Sequence, residues 1–458
     1  MTEPPLDRDV VVVGAGVVGT AIARELSRFE LRCTLLEAAA DVGAGTSKAN
    51  TALLHTGFDA KPGTIEAKLV RRGYELLTQH APRVGIPLQR TGAMLVAWNE
   101  DQRAAVPGIV ERARANGYGA IRVIENDELY RREPQLARGA HGALEVPGEG
   151  IVCPFTPPLA FATESLLAGC ELRLRSRLTG VERLASGFAL TVGGERLMTR
   201  FLVNAAGLYS DEVHRLTGHD GFTVTPRRGE LIVFDKLARP LVRHIILAVP
   251  TGTTKGVLIA PTVFGNVLVG PTAEDIRDKN DTSSTADGLS YLRSEAKRIM
   301  PPLLRHEVTA VYVGLRATTE HGDYQLTVHA PEGYACVGGI RSTGLTASMA
   351  IAEYVREQLG DAGLPLREKV GNPEIRMPNI GELSARPYQQ AARIAENADY
   401  GRIVCFCERV TRGEILDALG SPLPPADLDG LRRRTRVLMG RCQGFFCGAE
   451  VEALLTRS

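Results

Sequence analysis

Two groups of residues carry chemistry by their types and spacing. The first is Gly14-Ala15-Gly16-Val17-Val18-Gly19, with Glu37 beyond it. A tight turn at Gly14, close backbone approach at Gly16 and a packing contact at Gly19 would aim the amide donors of a helix start at a pyrophosphate. Glu37 ends the next apolar run, where a carboxylate binds both hydroxyls of an adenosine ribose and repels a 2′-phosphate. Gly14, Ala15, Gly16, Gly19 and Glu37 are thus candidate dinucleotide-binding residues. The second group is Cys405, Cys407, Cys442 and Cys447, in the pattern C-x-C and C-x4-C. Four thiolates in two close pairs can hold zinc or an iron–sulfur cluster. Structural zinc prefers a wider first pair, and disulfides are disfavoured in a cytoplasmic chain. Cys33, Cys153, Cys170 and Cys336 stand among apolar neighbours and read as buried, inert side chains.

The elements that must position these groups follow from periodicity. Val10–Val13 is too short for a helix and suits a strand buried on both faces. Val18, Ile22, Leu26 and Phe29 then lie on one helical stripe, and Thr34–Leu36 begins a second strand. Residues 43–63 read as a loop and 64–80 as a helix. Ala93–Ala97, Phe188–Val192, Leu231–Phe234, Val257–Ala260 and Val267–Val269 read as strands, and Leu289–Met300 as a helix stopped by Pro301-Pro302. Tyr334–Val337 is a further strand, followed by a glycine turn and a helix over Thr346–Gln358. Residues 360–385 are rich in Gly and Pro and read as a linker, and a small cysteine module starts near Tyr400. The run Arg432-Arg433-Arg434-Thr435-Arg436 reads as a solvated helix face.

Composition narrows the partners. The 458 residues are 44% apolar and 23% charged, with 54 basic and 53 acidic side chains, a net charge of +1. Such a balance has no global field for gathering nucleic acid or an acidic membrane surface. The N-terminus lacks a basic n-region and a small-residue cleavage site, so no signal peptide is expected. Val10–Ala23 comes closest to a membrane span, and glycines interrupt it. The protein is expected to be soluble and cytoplasmic, touching the inner face of the cell membrane or a partner subunit at most peripherally.

The single fingerprint favours FAD over a nicotinamide carrier, because enzymes that pass electrons between NAD(P)H and a flavin usually carry two. Val203-Asn204-Ala205-Ala206-Gly207 ends a strand in small residues that let backbone pass close to a cofactor. Gly338-Gly339-Ile340-Arg341-Ser342-Thr343-Gly344-Leu345-Thr346 is a glycine turn leading into a helix whose positive end would face an anionic flavin ring. Ala205, Gly207, Gly339, Ile340, Gly344, Leu345 and Thr346 join the candidate cofactor residues.

Longer segments carry a family likeness. Thr46-Ser47-Lys48-Ala49-Asn50-Thr51, Leu54-His55-Thr56-Gly57-Phe58-Asp59-Ala60-Lys61-Pro62-Gly63, Arg228-Gly229-Glu230, Val269-Gly270-Pro271-Thr272-Ala273-Glu274-Asp275 and Gly314-Leu315-Arg316-Ala317 resemble the D-amino-acid-oxidase-like FAD-dependent oxidoreductases over roughly 7–360. Within that family the likeness is greatest to glycerol-3-phosphate dehydrogenases of the iron–sulfur type, with 2-hydroxyglutarate dehydrogenases next. The resemblance implies an α/β fold over 1–360, a Rossmann-like FAD-binding domain (mainly 7–85, 150–215 and 325–360) interleaved with an antiparallel α+β substrate domain (mainly 86–149 and 216–324). It also implies that Thr46 and Ser47 line the cofactor, that His55 lies by the flavin ring and that Arg316 projects towards substrate. One departure stands out: relatives often have an acidic residue and then Ser-Pro where this chain has Arg341-Ser342-Thr343, an extra cation beside the substrate.

A linker, 361–399, leads to residues 400–458. There Val404-Cys405-Phe406-Cys407-Glu408-Arg409-Val410-Thr411 and Met439-Gly440-Arg441-Cys442-Gln443-Gly444-Phe445-Phe446-Cys447 resemble the bacterioferritin-associated-ferredoxin-like [2Fe–2S] module, small and mainly helical. That likeness implies that the four cysteines bind the cluster, and that Arg409, Arg441 and the 432–436 run offset its negative charge.

A two-electron flavin joined to a one-electron cluster suits a dehydrogenase that forwards electrons to an external acceptor, a quinone or a redox protein. An oxidase would need no cluster. The expected chemistry is hydride transfer from a secondary alcohol carbon, with His55 as base, since an ordinary imidazole pKa of ~6.5 suits that task. A purely hydrogen-bonding His55 is the alternative. Arg316 and Arg341 would grip an anionic group with their guanidinium forks, unless Arg316 pairs with Glu320 or Asp323. Arg228 is a weaker candidate. The expected substrate is sn-glycerol 3-phosphate, with an L-2-hydroxy acid such as 2-hydroxyglutarate second. A redox-sensing or electron-transfer subunit is the reading from another class.

Overall fold

In the computed structural model, which describes residues 6–251 and 256–456, the run Val10–Val13 completes a strand, Arg8–Val13. Val10 and Val12 enter one core, Val11 and Val13 another, as the two-residue period of a strand requires. A strand apolar on both faces needs a layer on each side. Helices Val17–Leu26, Ile65–Val84, Thr156–Leu167 and Gly344–Asp361 supply one of them. Cys33–Leu36 and then Glu171–Arg173 lie parallel to Arg8–Val13 on one side. The second half of Glu195–Asn204 and then Tyr334–Gly338 lie parallel on the other. The fold so gathers three distant stretches into one sheet, which puts Gly14, Glu37 and Ala205 at neighbouring strand ends.

The helix after the glycine turn stops at Leu26, and Phe29 reaches the same core from beyond its end. The next helix runs past residue 80 to Val84, where Gly85 takes the left-handed conformation (φ 80°) that closes it.

A nine-stranded sheet forms the second layer system. At one end of it Thr225–Phe234 pairs along its length with Val308–Thr318, from Thr225 opposite Thr318 to Phe234 opposite Val308. The sheet continues through Val267–Gly270, Leu258–Pro261, Ile245–Ala248, Ala93–Val96, Ala143–Val146 and Arg122–Ile124. It is antiparallel except at one seam, where Ile245–Ala248 runs parallel to Ala93–Val96. The two halves of the sheet are separate excursions of the chain, so no hairpin fixes their relative direction at that seam.

The stretch 362–386 holds no helix and a single isolated bridge, Phe29 to Glu368. It is nonetheless bound along its course. The Lys369 amide donates to Arg28 O, Met377 to Val84 O and Glu382 to Val263 O, at 2.7–2.9 Å. The expected linker is therefore laid as a strap over the body of the protein. Its end enters the tail module: Arg386 is 1% exposed and pairs with Glu414 at 2.6 Å. The tail itself is a short hairpin, Ile403–Cys405 with Val410–Thr411, and three helices, Arg412–Leu419, Leu428–Thr435 and Gly448–Leu455.

The arginine run is not a solvated face. Arg433, Arg434 and Arg436 are buried. Arg433 and Arg434 grip Asp41, itself 1% exposed, and Arg436 pairs with Glu408. Periodicity could not reveal this, because Asp41 comes from the loop after the second strand. Arg433 and Arg434 lock the tail module to the body through Asp41, whereas Arg436 pairs within the tail. Removing one partner of such a buried pair typically costs about 3–5 kcal/mol.

Candidate functional site

A cavity of about 1010 Å³ opens between the two sheets. Its cofactor end is built by the glycine turn. A Cβ on Gly14 would lie 2.5 Å from Ala205 O, and one on Gly19 would lie 1.8 Å from Gly14 O, so strand, helix and the Ala205 strand end touch as only glycine allows. Ser47 accepts a hydrogen bond from the Val17 amide at 2.9 Å, which ties the 46–51 loop to the helix start. Thr46 Oγ1 donates to Leu315 O, and Gly314 is the other contact: a Cβ there would sit 1.9 Å from Ala49 O.

Of the residues singled out from sequence, Gly16, Thr46, Ser47, His55, Ala205, Gly207, Arg316, Ile340, Arg341, Gly344 and Leu345 line this one cavity. Gly14, Ala15, Gly19, Glu37, Gly339 and Thr346 are not among its lining residues. Glu37 accepts from the amides of Ala15 (2.7 Å) and Ala39 (2.8 Å) at the edge of the sheet. Thr346 is fully buried, and its hydroxyl accepts from the His55 amide at 3.1 Å.

His55 Nδ1 lies 3.3 Å from Glu149 Oε2, and Glu149 is 3% exposed. The other carboxylate oxygen takes the Thr56 amide (2.6 Å) and hydroxyl (2.8 Å). Glu149 was not a sequence candidate. It stands between two glycines with no motif around it, and only the fold brings it to His55.

The two arginines differ. Arg341 Nη2 pairs with Glu66 at 2.5 Å and donates to Gly322 O, so its charge is compensated before any substrate arrives. Glu66 opens the Ile65–Val84 helix, far from Arg341 in sequence. Arg316 forms no ion pair among the described residues. Its Nη2 donates to the carbonyls of Thr272 (2.6 Å) and Arg228 (3.3 Å). Neither Glu320 nor Asp323 meets it: Glu320 accepts from the Thr223 amide, and Asp323 caps the helix at Ile65. Burial pushes the Arg316 pKa down to about 10, helped by the positive charge of Arg227. Arg227 lies directly opposite Arg316 across the strand pair and is itself neutralised by Asp275 at 2.6 Å. Arg228 is held by Glu274 and Asp281 and does not line the cavity.

In the tail, Cys405 and Cys447 are buried and Cys407 and Cys442 are partly exposed. Cys407 neighbours Cys442, and Cys405 neighbours Cys447. The amide of Phe446, with the Cys407 thiol and the amides of Gly444 and Phe445, holds the Cys442 thiol below its ordinary range. Among the described residues the one trio of His, Cys, Asp or Glu ligand atoms within 4.8 Å of one another is His219, His329 and Glu332, so no three cysteine sulfurs meet that distance. A single tetrahedral zinc at ~2.3 Å would draw all four sulfurs to within about 4 Å. Together the two pairs offer four thiolates that would hold a soft-metal centre.

The module and the cavity share a strand. Gln443, next to Cys442, donates to Thr309 O at 3.0 Å, and Gly314 of the same strand lines the cavity. Five residues at ~3.3 Å each put the two about 16 Å apart. Lys48, beside Ser47, also pairs with Asp429 of the tail at 2.8 Å.

This arrangement is that of a flavin-dependent oxidoreductase, and comparison with known proteins agrees. Residues 9–358 match the FAD dependent oxidoreductase family, and the chain belongs to it. It binds FAD, and residues 403–457 form a BFD-like [2Fe-2S] binding domain. A glycerol 3-phosphate dehydrogenase of Caloramator mitchellensis is 33% identical over 98% of this chain and 94% of its own length. A glycerol 3-phosphate oxidase of Mycoplasma genitalium is 29% identical over 81% of this chain and 98% of its own. Among solved structures, the dithionite-reduced L-alpha-glycerophosphate oxidase of Mycoplasma pneumoniae with FAD bound superposes with a TM-score of 0.77 at 28% identity, covering 81% of this chain and 99% of that one. The residues fit both groups: the glycine turn, Ser47 and the Ala205 strand end leave a crevice for a dinucleotide, and the two thiol pairs supply the cluster's ligands.

Proposed function

We propose that the protein oxidises sn-glycerol 3-phosphate to dihydroxyacetone phosphate and releases the electrons singly, through its tail module, to an external acceptor. The observation that carries this reading is Arg316, a half-buried guanidinium with no ion pair among the described residues, set in the same cavity as His55. A buried charge without a counter-ion is costly, and an anionic substrate group removes that cost. FAD supplies the acceptor for the hydride and the cluster a one-electron relay. The chain's own residues do the rest. His55, with its Nδ1 3.3 Å from Glu149 Oε2, takes the hydroxyl proton at Nε2. Glu149 holds the ring in that orientation, Arg316 binds the phosphate, and Arg341 closes the far wall from its pairing with Glu66.

The tail favours a dehydrogenase. The relative named a dehydrogenase covers 98% of the chain, whereas the oxidase spends 98% of its own length on 81% of it. No helix among the described residues is long and apolar enough to cross a membrane, and the reading places the enzyme in the cytoplasm with a soluble or membrane-bound acceptor.

Anaerobic mixing with sn-glycerol 3-phosphate is expected to bleach the flavin within the time of a turnover, and L-2-hydroxyglutarate is expected to leave it oxidised. The reverse outcome would assign the second substrate class. Bleaching by neither would favour a redox-sensing subunit.

Glu149→Gln is expected to lower the maximal rate of flavin reduction by roughly 10–10³-fold, because a carboxylate that orients an imidazole base acts on the chemical step. KM, FAD content and melting temperature should stay near wild type, and Glu149→Asp should restore part of the rate. A raised KM with an unchanged rate would assign Glu149 to substrate binding instead. Cys442→Ser is expected to leave substrate-driven flavin bleaching intact and to abolish turnover with one-electron acceptors. Loss of bleaching itself would make the cluster a structural requirement.

A further inference from the structure

We propose that Asp429, Arg433 and Arg434 of the tail are positioning residues for FAD, which clamp the two loops flanking the glycine turn. The inference needs only the FAD-binding body and the docked tail, and no part of it depends on which alcohol is oxidised.

Both loops are tied to the start of the helix Val17–Leu26. The Gly43 amide donates to Ala15 O at 2.8 Å, and the Val17 amide donates to Ser47 Oγ at 2.9 Å. Residues 41–43 and 46–48 thus bracket Ala15–Val17, the backbone that a pyrophosphate approaches in such a turn. Ser47 lines the cavity, whereas Asp41, Lys48 and the residues of the tail helix Leu428–Thr435 are not among its lining residues. Whatever the tail does for FAD, it does through the loops.

The tail helix reaches both of them. Asp429 and Arg433 stand one turn apart, as an i,i+4 pair. Asp429 takes Lys48 of the second loop at 2.8 Å and also pairs with Arg433. Arg433 Nη2 reaches Asp41 of the first loop at 2.9 Å. Arg434 grips Asp41 with its fork, Nη1 on Oδ2 at 2.5 Å and Nη2 on Oδ1 at 2.9 Å. The charges alternate from Lys48 through Asp429 and Arg433 to Asp41, so one loop is joined to the other by way of the tail. The fork is set before it meets Asp41, because Arg434 Nε donates to Leu423 O and Nη1 to Gly430 O, each at 3.0 Å. Asp41 is set likewise by the Val42 amide, which donates to its Oδ1 at 2.8 Å.

Gly430 shows that this approach is built into the sequence. A Cβ there would lie 2.4 Å from Asp41 Oδ2. Glycine weakens a helix, and here it lets the helix backbone close on the carboxylate. The module has other holds on the body: Gln443 donates to Thr309 O at 3.0 Å, and Arg441 pairs with Asp235 at 2.9 Å. The charge chain therefore adds a grip on the FAD loops to a tail that is docked elsewhere as well. Coupling of this kind is reciprocal. A tail that holds the loops in their FAD-ready placement slows FAD release, and bound FAD steadies the tail helix in return. FAD is then retained best in a chain whose cluster module is in place.

The test follows FAD release from full-length holoenzyme on dilution, read as the rise of free-FAD fluorescence. Asp429→Asn is expected to speed release roughly fivefold or more, the lower range of such couplings. Charge alone gives the opposite sign: losing Asp429 frees the Lys48 cation, which would tighten the hold on an anionic diphosphate. Lys48→Met should also speed release, and the double variant should be no faster than the faster single one, since both cut one link. Asp41→Asn breaks both arginine contacts and should release FAD faster still; if it fails to fold, the Asp429 and Lys48 variants decide. Cluster absorbance should be retained in Asp429→Asn. In the cluster-loaded chain stripped of FAD, amide hydrogen exchange over residues 428–435 should be faster than in holoenzyme. Unchanged or slower release in Asp429→Asn would overturn the proposal, as would additive effects of the two substitutions or exchange at 428–435 indifferent to FAD. FAD lost only in step with the cluster would also overturn it, as the mark of a tail that no longer folds. None of these measurements uses substrate, so failure of the substrate reading shows separately, in flavin bleaching.

Discussion

Arg316→Leu is expected to lower kcat/KM for sn-glycerol 3-phosphate by roughly 10²–10³-fold, the effect of deleting one member of a buried charge pair. The arginine sits on the Val308–Thr318 strand opposite Arg227, and like charges in register repel. Asp275 pairs directly with Arg227 and reaches Arg316 only through space, while Arg316 itself donates to carbonyl oxygens. An incoming phosphate exchanges those neutral acceptors for a charged one, a gain that leucine forfeits. Lysine keeps the charge without the planar fork, and Arg316→Lys should fall between. Stability gives an independent reading: leucine removes a half-buried charge that has no ion pair among the described residues, so the melting temperature without substrate should hold or rise. A marked fall would mean that Arg316 is structural. The pH dependence has a definite sign. Burial lowers the Arg316 pKa to about 10, so the charge that binds the anion is present below that value and lost above it. Because kcat/KM reports groups of the free enzyme, it should decline as the pH rises through about 10, and Arg316→Leu should lack that limb.

His55→Asn should slow substrate-driven flavin reduction by roughly 10²–10⁴-fold, the usual contribution of a general base. Asparagine keeps a polar group beside Glu149 but cannot accept a proton at neutral pH. The substitution should therefore change the rate of reduction and spare FAD content and phosphate affinity. In a cycle with Glu149→Gln the losses should not add, because a carboxylate that acts through the imidazole has nothing left to orient once the imidazole is gone. Full additivity would separate the two side chains into independent roles. An unchanged rate in His55→Asn would move the base elsewhere in the cavity.

The cofactor end was the most legible part of the sequence, because its signal is local. Gly14, Gly16 and Gly19 sit within one turn, and Glu37 ends the very next strand. The cysteines were legible as ligands for the same reason, and the residues around them already pointed by resemblance to a [2Fe–2S] module. The substrate end is assembled from distant segments, and there single-residue reasoning was partial. Arg341 looked like a free cation until the fold set Glu66 beside it. Arg316 looked equally open to pairing with Glu320 or Asp323, and both acids turned out to be engaged by backbone amides. Glu149 carried no local signal at all. The arginine run showed how a helical pattern misleads: its spacing suits solvent, and Asp41 decides otherwise.

The most direct test of the account is anaerobic, single-turnover mixing of holoenzyme with one equivalent of sn-glycerol 3-phosphate, followed by flavin absorbance and by the paramagnetic signal of a reduced [2Fe–2S] cluster in the same samples. The account predicts loss of oxidised flavin together with the appearance of the cluster signal. A flavin that stays oxidised, or one that bleaches while the cluster never receives an electron, would contradict it.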